Sequence, residues 1–199
     1  MAFLLSERAR REQEGVVAVL EVACGTGNNL WFAAREGFRV SGIDGSPSAI
    51  DYARRRFAGD ALEGDLRVGD IQELPWDEGS FDLVVDRAGL TYCGMSSVKR
   101  ALGEIHRVLR PGGRLLFTPY SDRHGSALSG RPAPDGLLVE VAEGALAGPA
   151  PVCLYDRARI ADVLANGWEV VRVQHVEMVT EGAPDSAKQA EWRVVAERH

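Results

Sequence analysis

Residues 16–27 read Val16-Val17-Ala18-Val19-Leu20-Glu21-Val22-Ala23-Cys24-Gly25-Thr26-Gly27. The unbroken apolar run over 16–20 is what a strand buried on both faces requires. Gly25 and Gly27 then permit a tight turn and let a ligand come close to bare backbone. From Asn28 to Glu36 the pattern is helical, and Gly37 stops it. The free N–H groups at that helix start favour an anion, either a carboxylate or a phosphate. Leu30 stands where a dinucleotide fingerprint needs its third glycine, and Asn28-Asn29-Leu30 replaces the Gly-Lys-Ser/Thr of a P-loop. The turn therefore suits a small carboxylate-bearing nucleotide analogue better than a pyrophosphate.

The alternation continues downstream. Phe38 to Asp44 reads as a second strand, and Ser46-Pro47 supplies an N-cap and a first-turn proline for a helix with Ile50, Ala53 and Phe57 on one face. Further strands are read over 66–68 and 81–85. Val98, Ala101, Leu102, Ile105 and Leu109 then recur at helical spacing. Pro111-Gly112-Gly113 reads as a turn before a fifth strand over 114–118. Asp156 caps a helix that ends at Asn166-Gly167, and 168–179 with 192–196 close the chain as an antiparallel pair. Upstream, residues 3–14 read as a short charged helix. Such alternation implies an α/β fold, a doubly wound and mainly parallel sheet forming one domain over 1–199. Ligands in such a sheet bind outside the carboxyl ends of the strands. Residues 119–154, rich in Gly and Pro, break the rhythm and read as a substrate-facing insertion.

Two acids occupy those carboxyl ends. Asp44 closes the second strand, where a carboxylate can accept hydrogen bonds from both hydroxyls of a ribose. Asp70 follows the third strand and can accept from an adenine amino group, while the Ile71 N–H donates to a ring nitrogen. The 199 residues carry a net charge of −6 and are 45% hydrophobic, which argues against disorder and against nucleic acid or an anionic membrane surface as partner. Cys24, Cys93 and Cys153 are far apart, so neither a metal site nor a disulfide framework is readable, and reduced thiols in a cytoplasmic protein are expected. No signal-peptide core or membrane-spanning run is visible.

Five segments together resemble the class I S-adenosylmethionine-dependent methyltransferases. They are Leu20-Glu21-Val22-Ala23-Cys24-Gly25-Thr26-Gly27, Gly42-Ile43-Asp44-Gly45-Ser46-Pro47, Gly69-Asp70-Ile71-Gln72-Glu73-Leu74-Pro75-Trp76, Phe81-Asp82-Leu83-Val84-Val85-Asp86, and Glu104 through Gly113. The resemblance runs over about 16–120 and is nearest to the small-molecule branch, its type 11 and tellurite-resistance-like members included. It implies a seven-stranded Rossmann-like sheet with the last strand antiparallel. It also implies S-adenosyl-L-methionine as cofactor and S-adenosyl-L-homocysteine as product. Carried onto this chain, Glu21 holds the methionine amino group, with Ala23, Gly25, Gly27 and Asn29 lining the methionine part. Asp44 and Gly45 take the ribose, Asp70 and Ile71 the adenine, and Asp86 lies beside the sulfonium. Ala23 departs from the family, which has glycine there. Read as adopting an ordinary φ, it tightens the pocket without closing it.

Methyl transfer needs an acceptor aligned behind the methyl group and water kept out. A general base is needed only for a protonated hydroxyl or amine. The sequence offers Tyr92, and His124 in the polar cluster Tyr120-Ser121-Asp122-Arg123-His124, with a near-neutral pKa as the warrant for His124. Arg87 suits an anionic substrate group or a loop brace. Cys24 reads as packing. After the fourth strand stands Asp86-Arg87-Ala88-Gly89 and not the Asn/Asp/Ser-Pro-Pro-aromatic motif of the nucleic-acid amine branch. The expected partner is thus a small molecule, acting on a monomer or homodimer. The competing reading is a non-catalytic S-adenosylmethionine sensor or partner subunit, which needs the same binding residues.

Overall fold

Ala18–Val22 forms β1, and all 5 of its residues are buried. In the computed structural model, which describes residues 2–10 and 15–199, this strand lies inside a seven-stranded sheet. Its neighbours are β2 (Arg39–Asp44) and β4 (Phe81–Asp86), both parallel to it. Beyond β2 lies β3 (Asp65–Val68), and beyond β4 lies β5 (Leu109–Phe117). The chain then places β10 (Gln189–Arg198) antiparallel to both β5 and the outer strand β9 (Trp168–Met178). The order is β3-β2-β1-β4-β5-β10-β9, with the parallel core and the antiparallel closing pair that the alternation and the closing hairpin imply. The chain moves outward from β1 through β3 and returns at β4, so the carboxyl ends of β1 and β4 diverge at a switch point.

Helices cover both faces. On one, α4 (Met95–Val108) and α5 (Arg157–Val163) bury Val98, Ala101, Leu102, Ile105 and Ile160 against the sheet. On the other, α1 (Ala2–Arg10), α2 (Asn28–Arg35) and α3 (Pro47–Gly59) bury Phe3, Leu4, Leu30, Ala33, Ile50 and Phe57. Ser46 caps α3 through Ala49 N–H at 3.3 Å, with Pro47 in the first turn. Asp156 caps α5 through Arg159 N–H at 2.7 Å. Of the helix expected over 3–14, residues 11–14 lie outside the described residues. Glu7 of α1 is buried and meets Arg114 of β5 at 2.9 Å, which pins α1 to the sheet.

Three boundaries differ from the sequence reading. α4 runs straight into β5 at Leu109, and Pro111-Gly112-Gly113 sits in an irregularity where the register jumps from Phe81↔Leu109 to Leu83↔Arg114. α5 stops at Val163, and β10 starts at Gln189 because its ladder with β9 extends that far. The segment 119–154 is not structureless. It carries β6 (Arg131–Pro132), β7 (Leu137–Val139) and β8 (Val152–Cys153) as a small antiparallel sheet. Its own core joins Val141, Leu146, Val152 and Leu154. Among the described residues no helix is long and apolar enough to cross a membrane.

Gly42 of β2 shows how tightly the sheet packs beneath the glycine turn. A Cβ there overlaps Leu30 Cδ1 and stands 2.9 Å from Cys24 Sγ, both in buried residues. Overpacking of this kind costs about 1–3 kcal/mol. Gly42→Ala is expected to lower Tm by roughly 2–4 °C per kcal/mol lost, read by calorimetry.

Candidate active site

The carboxyl ends of β1, β2 and β4 enclose a cleft of about 770 Å³. Its walls include Ala23, Asp44, Gly45, Asp70, Ile71 and Arg87, with Tyr92 and Tyr120 opposite. A hollow of about 790 Å³ lies at the other, amino-terminal edge near Arg39, Asp65 and Arg110, and the glycine turn takes no part in it.

The turn is built from alternate left-handed residues, Ala23 at φ +50°, Gly25 at +54° and Gly27 at +70°. This corrects the reading of Ala23, whose φ is not ordinary. An alanine in this region costs about 1–2 kcal/mol relative to its relaxed state. The turn tolerates it because the facing residue is Gly89, where a Cβ would overlap the Ala23 methyl. Cys24 is buried beside Gly42, its thiol pushed up to about 12 mainly by burial, so it packs and does not attack.

Asp44 fastens two loops together. Its Oδ2 accepts from Gly25 N–H at 2.8 Å and its Oδ1 from Ser46 N–H at 2.8 Å. Each oxygen keeps a further lone pair for a hydroxyl donor. Asp70, exposed, accepts from Gln72 N–H at 2.8 Å, an Asx turn that leaves the Ile71 amide at the cleft wall.

Two buried carboxyls lie behind this edge. Glu21 on β1 accepts from Asn29 Nδ2 at 2.5 Å through Oε1, while Oε2 has no partner. Asp86 on β4, fully buried, accepts from Leu90 N–H at 2.9 Å through Oδ1, and the Gly89 and Thr118 backbones also favour its charged form, while Oδ2 has no hydrogen-bond partner among the described residues. Burial pushes both carboxyls up to about 7; their mutual repulsion adds to the effect on Glu21, and Arg87 opposes it on both. A buried acceptor without a donor is unstable unless something cationic or proton-bearing completes it.

The proposed bases fare differently. Tyr92, 49% exposed, lines the cleft. His124, 1% exposed, does not. Its Nδ1 accepts from Ser126 N–H at 3.2 Å and its Nε2 meets Gln189 Oε1 at 3.3 Å. Burial holds its pKa below the usual range. Both ring nitrogens are thus committed, and the geometry gives His124 a structural role in the segment 119–154. Of that segment, Tyr120 reaches the cleft wall. Glu191 went unmarked in the sequence. From β10 it accepts from Arg87 Nη1 at 3.1 Å, although 104 positions separate the two.

Residues 19–113 match the methyltransferase domain family. The chain is 36% identical over 112 residues to a malonyl-acyl-carrier-protein O-methyltransferase of Pectobacterium atrosepticum, covering 56% of this chain and 42% of that protein. It is 35% identical over 103 residues to a demethylmenaquinone methyltransferase of Clavibacter sepedonicus, covering 52% and 41%. Its fold matches a SAM-dependent methyltransferase structure from Methanosarcina mazei with TM-score 0.75 and 21% identity, covering 92% of each chain. The chain thus carries a match to a methyltransferase domain over residues 19–113 and shares its fold with S-adenosylmethionine-dependent methyltransferases. It spans about two fifths of the length of the two curated relatives.

S-adenosylmethionine fits the residues present. It carries an ammonium and a sulfonium, and the site holds two buried carboxyls, each with an unpaired oxygen, beside a glycine turn. Asp44 and Asp70 line the same edge, and their carboxylates match the hydroxyl donors of a ribose and the amino donor of an adenine.

Two outcomes are expected. Ala23→Gly removes the left-handed strain, so Tm rises by about 2–4 °C for a gain near 1 kcal/mol. Glu21 has a folded pKa near 7 against an ordinary 4.5, and Asp86 near 7 against 3.8. A carboxyl raised in this way supports the fold below its ordinary pKa, and that support is lost as pH rises through about 7. Glu21→Gln escapes the loss, so its Tm should gain on the parent's between pH 5 and pH 8, measured without ligand.

Proposed function

We propose that this protein moves the methyl group of S-adenosylmethionine to a small-molecule acceptor by in-line displacement. The observation that carries this reading is the pair of orphaned buried oxygens, Glu21 Oε2 and Asp86 Oδ2, at the switch point of the sheet. The bound cofactor supplies a methyl group already activated on sulfur. Everything else falls to the chain. Glu21, oriented by Asn29, takes the amino group. Asp44, already anchored by Gly25 and Ser46 amides, accepts the ribose hydroxyls without reorganising. Asp70 and the Ile71 amide read the adenine edge. Asp86, fixed by the Leu90 amide and buried, faces the developing loss of positive charge from a position that water does not reach. Alignment of this kind supplies roughly 7–11 kcal/mol of barrier lowering.

Tyr92 and Tyr120 stand at the cleft wall where the acceptor approaches. Tyr92 orients a hydroxyl or amine acceptor, and a carboxylate or thiolate acceptor needs no base. The names of the malonyl and demethylmenaquinone relatives support a small or acyl acceptor, and the net charge of −6 speaks against nucleic acid.

Thermal unfolding with S-adenosylhomocysteine tests the binding half of the reading. Ligand at 100 times its Kd adds about 2.7 kcal/mol, a rise of roughly 5–11 °C for this size. Asp44→Ala should abolish the rise, and NAD should produce none. A folded protein that ignores S-adenosylhomocysteine contradicts the proposal. Binding without methyl transfer to any acid, thiol, hydroxyl or amine acceptor points to the sensor reading instead.

A further inference from the structure

A second cavity of about 410 Å³ adjoins the cleft, and Arg87 lines both. Its roof is α1, through Phe3 and Leu4. At its far end stand Arg172 on β9 and Arg193 on β10. The register pairs Arg193 with Gln174 and Val195 with Arg172. The two arginines are therefore diagonal neighbours on one face, about 7–8 Å apart at the backbone. Like charges so placed repel unless an anion sits between them.

The local charge balance stays positive. Glu191 accepts from Arg193 Nε at 2.7 Å and from Arg87 Nη1 at 3.1 Å, so one carboxylate is shared by two guanidinium groups. Among the described residues Arg172 has no hydrogen bond or ion pair, and its fork is free. The three arginines are exposed, so the cavity opens to solvent and presents a positive wall in a protein of net charge −6. Arginine forks match planar and tetrahedral oxyanions.

Position decides which anion is meant. The cofactor residues cluster on β1, β2 and β4, whereas β10 lies two strands and β9 three strands beyond β4. At ~4.8 Å per strand, Arg193 and Arg172 are rooted about 10 and 14 Å past β4. Asn29, which holds Glu21, lines the end of this cavity nearest the cleft, whereas Arg193 and Arg172 are rooted at least two strands beyond β4, on the side where an acceptor would lie.

We propose that this cavity holds a carboxylate or phosphate on the methyl acceptor, bound by Arg172 and Arg193, with the acceptor's apolar part under Phe3 and Leu4. The proposal rests on the methyl-transfer reading for what the acceptor is, but its binding test stands apart from that reading. Hexanoate and phenyl phosphate are titrated calorimetrically into the full chain, once ligand-free and once saturated with S-adenosylhomocysteine. Saturable, salt-sensitive binding is expected. Hexanamide, Arg172→Gln and Arg193→Gln should each weaken it by about tenfold or more, the loss of one charge-assisted hydrogen-bond pair. Arg172→Gln should keep the parent's Tm, Arg193→Gln should lower it by uncovering Glu191, and both should keep the parent's affinity for S-adenosylhomocysteine. Absence of saturable anion binding overturns the proposal, as do equal affinity for hexanamide and hexanoate or parent-like binding by the variants. Loss of S-adenosylhomocysteine binding in the variants overturns it too, by giving the arginines to the cofactor. Failure of the parent to bind S-adenosylhomocysteine strikes the methyl-transfer reading alone, because the ligand-free titration still decides this one.

Discussion

Glu21 and Asp86 sit on adjacent strands, buried, each with one carboxyl oxygen that has no hydrogen-bond partner among the described residues. Folding these groups into the interior is expensive, since a buried unpaired polar oxygen loses its water without a replacement. The sheet holds them there because β1 and β4 are buried along their whole lengths and end together at the switch point. A proton offsets that cost in the ligand-free protein, and a cationic ligand offsets it when bound. A cationic cofactor and a destabilised empty site are thus two sides of one arrangement.

The remaining features of the edge serve the same end. The left-handed turn at 23, 25 and 27 swings the backbone away from the strand and opens room above it. Asp44 ties that turn to the start of α3, so its carboxylate and the glycine backbone move as one body. Arg87 links the cleft to the neighbouring basic cavity through Glu191, and it also moderates the carboxyls behind it. Residues just after β4, on β10 and on α1 therefore frame one end of the cleft.

Much of this edge was legible in the sequence because its signals are local. Glu21, Gly25, Gly27, Asp44, Asp70 and Asp86 each mark the end of a strand whose apolar run can be read directly. Ala23 was misjudged because the turn imposes its φ, and the room for its methyl comes from Gly89, which lies far along the chain. His124 was misjudged because a near-neutral ordinary pKa says nothing about burial. Only the fold shows both ring nitrogens occupied. Glu191, Arg172 and Arg193 were invisible as a group, since the register of β9 on β10 brings them together and no spacing rule encodes it. The Pro111-Gly112-Gly113 turn was real in chemistry, yet it proved to be an irregularity inside a longer strand.

The most direct test of the account is a carbon-13 NMR titration of the Glu21 and Asp86 carboxyls, assigned through Glu21→Gln and Asp86→Asn, with and without S-adenosylmethionine. Both groups should titrate near pH 7 in the ligand-free protein, and both midpoints should fall by at least about one unit when the cation binds. Ordinary carboxyl midpoints without ligand, or midpoints that ignore the ligand, would contradict the claim that these two buried acids form the seat of the cofactor's positive charge.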